Sequence, residues 1–127
     1  MKKLTTIISA VMALGLGTSA SAQVNLTAET ASPSSAPGVS VIALSEAAAK
    51  YNVANMQVTT GQTLTNSVQN VAEGKSDVAA APFVLPFLLS RAVGPYAKVG
   101  KEKGAELASQ LAVLYTYRIA CQGLYAY

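Results

Sequence analysis

Three short runs with β character, Val24 to Thr30 (VNLTAET), Met56 to Thr60 (MQVTT) and Val78 to Ala81, are spaced so that one helical stretch fits between each pair. That alternation is the strongest constraint in the chain, because strands joined through helices pair in parallel and build an α/β layered fold. Between the first two runs, Val41, Leu44, Ala48 and Tyr51 recur at helical spacing with Ser45 and Lys50 left for solvent, which predicts a helix over 39–51. Leu64, Val68, Val71 and Ala72 predict a second helix over 64–73. Thr63 stands at its N-cap position and Gly74 just past its end, where a left-handed residue is cheap only as glycine. Pro82 ends the third run, and Pro86 suits the first turn of a helix over 84–92 that VGPY breaks. A further helix is expected over 98–110, weakened at its start by Gly100 and Gly104, and Leu111 to Cys121 reads as a final strand. The expected order is βαβαβααβ, an α/β domain whose mainly parallel sheet is flanked by helices on right-handed crossovers.

The first residues carry a different signal. Lys2 and Lys3 precede an apolar run from Leu4 to Leu16, and Ala20-Ser21-Ala22 is a small-residue cleavage pattern. Residues 1–22 therefore read as a secretory signal peptide cleaved after Ala22, and the apolar run is shorter than the roughly 20 residues of a spanning helix. Two of the nine basic residues leave with that leader while all six acidic ones stay. The remaining chain is nearly neutral and has no basic stripe, which excludes nucleic acid as a partner.

Histidine is absent. Its absence removes the Ser-His-Asp and Cys-His arrangements and most transition-metal sites, so no metal and no cofactor is expected. Ser34 or Ser35 as a nucleophile would need a lysine base, and the residue three before Lys50 is Ala47, so there is no Ser-x-x-Lys. Glu102 and Glu106 lie at i, i+4 on an expected helix, where they read as solvated charge. The expectation is not an enzyme. The lone Cys121 has no intramolecular disulfide partner. Tyr115, Tyr117, Tyr125 and Tyr127 read as half-buried packing or as an interface.

In an open α/β sheet, ligands bind outside the carboxyl ends of the strands. Three loops fall there: Thr30 to Gly38, Thr60 to Thr63, and Pro82 with Phe83. Each carries small or hydroxyl residues and none carries a charge. With the free N–H groups of helix N-termini they suit a carboxylate without an arginine, although the same residue types serve as ordinary caps and turns.

Gln57 to Pro82 reads QVTTGQTLTNSVQNVAEGKSDVAAAP: a Thr-Gly loop, an asparagine in the first turn of the next helix, then Gly-x-x-Asp-Val-Ala entering a strand. This resembles the first lobe of the TAXI receptors, the extracytoplasmic solute-binding proteins of tripartite ATP-independent periplasmic (TRAP) transporters, and LAVLYTY resembles the segment that follows. The resemblance implies a type II-like periplasmic-binding-protein lobe in the periplasm. It would capture a small carboxylate such as glutamate and dock on the transporter's membrane subunits. Matched position by position, it places ligand contacts on Thr30, Ser32, Ser34 and Ser35 after the first strand, on Thr60, Gly61 and Thr63 after the second, and on Asn66; Pro82 is a further candidate from its own place at the carboxyl end of the third strand. The first loop reads SPSSAPGVSV where the family is glycine-rich, and Thr60-Gly61-Gln62-Thr63 stands for Thr-Gly-Gly-Ser. Asp77 is expected to be structural, accepting backbone N–H groups at the turn. The lobe would cover 23–117, with 118–127 starting the crossover or hinge towards a second lobe, so the sequence reads as the truncated N-terminal part of a longer receptor. A stand-alone secreted interaction module, using the aromatic end, is the alternative.

Overall fold

The computed structural model describes residues 23–116. The expected leader, and the chain from Tyr117 on with Arg118, Cys121 and the expected hinge, lie outside the described residues. The described chain is a small α/β domain with a three-stranded parallel sheet and four helices. In chain order these are β1 (Val24–Glu29), α1 (Ala36–Lys50), β2 (Ala54–Thr59), α2 (Leu64–Ala72), β3 (Val78–Ala79), α3 (Val84–Arg91), a 3-10 turn (Gly94–Tyr96) and α4 (Lys101–Ser109). The sheet order is β2-β1-β3, so the first strand is central. It pairs with β2 from Val24↔Ala54 to Glu29↔Thr59, and with β3 only over Ala28↔Val78 and Glu29↔Ala79.

Partners in a parallel pair point to the same face. One face of β1 and β2 therefore carries Val24, Leu26, Ala28, Ala54, Met56 and Val58, with Ala28 and Ala54 buried and Val24 exposed. The other carries Asn25, Thr27, Glu29, Asn55, Gln57 and Thr59, all exposed except the half-buried Glu29. There Asn55 Nδ2 donates to Asn25 Oδ1 at 3.1 Å. A parallel sheet is usually covered on both faces; this one has a polar face.

Several elements begin or end where the sequence did not predict. α1 starts at Ala36, not at residue 39, because Ser35 is its N-cap: the Ser35 hydroxyl accepts from Gly38 N at 3.2 Å and donates to the Ser32 carbonyl at 2.6 Å. Pro37 falls in the first turn, where its missing N–H costs nothing. A Cβ on Gly38 would lie 2.1 Å from the Ser32 carbonyl oxygen, so only glycine lets the loop fold over the helix start. Gly74 ends α2 at φ +70° as expected. The expected strand from Leu111 does not form over residues 111–116. Instead the N–H groups of Gln110 and Leu111 bond back to the Leu107 and Ala108 carbonyls, and the chain after them runs beside the sheet without joining its ladder.

The core lies among the later helices: Val68 and Ala72 of α2, Leu85 and Leu89 of α3, Tyr96 of the 3-10 turn and Leu107 of α4. Tyr96 Oη donates to the Thr65 carbonyl at 2.9 Å, tying that turn to the first turn of α2, and burial pushes its pKa up. α3 and α4 touch backbone to backbone at Gly104, where a Cβ would stand 2.4 Å from the Leu89 carbonyl oxygen. The glycine expected to weaken the helix is thus what allows its close approach, while Gly100, at φ +84°, caps its start.

Candidate functional site

β1 and β2 run parallel, so both deliver their following loops to the same rim of the sheet. Three backbone hydrogen bonds tie the loops together there: Thr30 N to the Thr59 carbonyl, Gly61 N to the Ala31 carbonyl and Gln62 N to the Thr30 carbonyl, each 3.0 Å. The clasp holds Thr30, Ser32, Ser34 and Ser35 next to Thr60, Gly61 and Thr63, and Gly61 adopts the φ of +84° that the crossing requires. Asn66 follows in the first turn of α2, exposed. Pro82 takes no part in the bonds of this clasp; its carbonyl accepts from Leu85 N at 3.0 Å and opens α3.

The hydroxyls on this rim differ in what they do. Ser35 is committed to the α1 cap, and Ser32 and Ser34 share a 3.0 Å bond between their Oγ atoms. Thr63, the N-cap residue of α2, makes no capping bond with its side chain; its Oγ1 accepts from Thr65 Oγ1 at 3.3 Å. The side chain of Thr30 is fully buried and its Oγ1 has no hydrogen-bond partner; the same holds for Ser67 Oγ in α2. Buried hydroxyls are normally paired. Ser67 was not singled out in the sequence, although its place three residues after Leu64 puts it on the apolar face of α2 with Val68 and Val71.

No charged residue lies in either loop. Glu29 precedes Thr30 and by strand alternation points to the opposite face, where both of its oxygens accept from Asn70 Nδ2 at 3.1 and 3.0 Å. Two perturbed carboxylates lie away from the rim. Asp77, at the amino end of β3, accepts from Thr27 N at 2.7 Å and Thr27 Oγ1 at 2.8 Å, which hold it below its ordinary pKa. Glu73 is lowered by Lys75 and by Gln69, whose Nε2 donates to it at 2.7 Å. Among the described residues no three His, Cys, Asp or Glu side chains gather where a metal could sit, and no helix is long and apolar enough to cross a membrane.

An open cleft of about 530 Å³ lies elsewhere, beside β3 and between it and side chains of α1 and α2. It is walled by Val78 to Ala81 and by residues 110–115, and none of the ligand residues expected from the sequence lines it. Comparisons with models of known protein families, with curated proteins and with solved structures return no match to this chain.

Proposed function

We propose that this chain is the ligand-capturing first lobe of an extracytoplasmic solute receptor of the TAXI type, taking a small organic acid such as glutamate for a TRAP transporter. The observation that carries this reading is the clasp between the loops after β1 and β2, which gathers uncharged hydroxyl residues at the carboxyl rim of a parallel sheet beside the N-terminus of α2. Such a rim offers N–H and O–H donors and the positive end of a helix, a complement to a carboxylate. The polypeptide offers binding and orientation only, and the reading includes export to the periplasm, a second lobe closing over the rim, and docking on membrane subunits.

Titrating the purified chain with glutamate and with an uncharged amide analogue, followed by amide NMR, tests the reading. Shifts confined to Thr30, Gly61, Thr63 and Asn66, and weakened by Thr63→Val, are the expected result. Equal shifts from both compounds, or shifts gathered around the cleft beside β3, would sink it.

The exposed Phe83, Val84 and Phe87 at the start of α3 favour one second reading, a secreted module that binds a protein partner through an apolar face. Under that reading the carboxylates leave the rim amides unmoved.

A further inference from the structure

We propose that residues 111–114 form a strap that closes onto the outer edge of β3 as a fourth strand, filling the cleft. β3 is hydrogen-bonded to β1 on one side, and no described strand pairs with its other side. The cleft beside β3 is walled by Val78 and Ala79 of the strand with Ala80 and Ala81 after it, by Val41 and Leu44 of α1, by Val68 and Val71 of α2, and by Leu111 to Leu114 from the chain beyond α4. The strap is held at its root, where Leu111 N donates to the Ala108 carbonyl and Leu111 packs against the core cluster. Beyond the root, Val113 and Leu114 are 66% and 72% exposed.

Three features make closure the lower state. Residues 79–81 are all alanine, leaving room for the larger side chains of the strap. Closure takes Val113 and Leu114 out of water and gives the main-chain groups of β3 and the strap the partners that buried backbone requires. The connection also has the right form: β3, then α3 and α4, then the strap is a strand–helix–strand unit, whose right-handed crossover returns the chain parallel to the strand it left. The strap and any small apolar molecule then compete for one space, so the domain has an open and a closed form.

Amide hydrogen exchange on the full chain decides. With the strap closing, the outward N–H groups among residues 79–81 and alternate N–H groups among 112–114 exchange at least about tenfold more slowly than free coil. Free-coil rates throughout would overturn the proposal. So would protection that disappears on dilution, since it would assign the edge to a second copy. Proline scanning adds an independent check, because successive N–H groups of a strand point to opposite sides and proline removes one donor. One of Ala112→Pro and Val113→Pro should abolish protection at residues 79–81 while the other leaves it intact. If both are silent, the strap is not a strand, and if a variant fails to fold, exchange in the unaltered chain still decides.

Discussion

The carboxylate of Asp77 accepts from the N–H of Thr27 on the central strand, a place a ladder ordinarily gives to a main-chain carbonyl, and Asp77 N returns a bond to the Thr27 carbonyl at 3.0 Å. It extends the two-residue pairing of β3 by one rung. The sequence disclosed the acceptor but not its partner, which was expected within the turn itself. The turn is already served: Lys75 N and Ser76 N both bond to the Asn70 carbonyl, leaving Asp77 free to reach across the sheet. Because Thr27 favours the charged form, the folded pKa lies below the ordinary 3.8. The carboxylate's contribution is therefore fully present above the unfolded value and is lost as pH falls through the folded one. Thermal melts from pH 7 to pH 2 should show the native chain losing stability more steeply below about pH 4 than Asp77→Asn does. Parallel curves would remove Asp77 from the fold's acid response.

Helix α4 separates two effects that usually point the same way. Alanine is favoured over glycine inside a helix by about 1 kcal/mol, so propensity alone predicts that Gly104→Ala stabilises. The 2.4 Å approach to the Leu89 carbonyl predicts the opposite. Overpacking of a tight contact costs roughly 1–3 kcal/mol, and urea denaturation should show a net loss; a gain would mean that α3 and α4 separate easily. Element type was legible where apolar spacing was regular, as in α1 and α2, and where prolines marked a boundary, as at α3. Boundaries failed where one residue has two uses. The SPSSAPG run reads as turn chemistry, yet Ser35 caps a helix and Gly38 admits a crossing carbonyl. Residues 111–116 have strand composition, but a strand exists only against a neighbour, and composition does not name one. The candidate rim was legible as loop positions; the burial of Thr30 and Ser67 was not, since it depends on what packs over them.

Taken whole, the molecule is unevenly covered. Its core lies among α2, α3 and α4, the β1–β2 pair shows a polar face, and Phe83, Val84, Phe87 and Leu114 stand in solvent. Exposed apolar side chains associate as concentration rises. Light scattering on a concentration series should show mass above the monomer, reduced when Phe83 and Phe87 are both changed to serine. Association unchanged by that pair would place the contact at a strand edge. The sheet order has a further consequence, in time. Thr27 and Asp77 are 50 residues apart, and the strand made first is flanked on both sides by strands made later. A ribosome delivering this chain releases β1 long before its second neighbour exists. The growing polypeptide therefore cannot complete its sheet until residues near 79 have emerged, and until then it is a thread that any machinery handling unfolded chains can still hold.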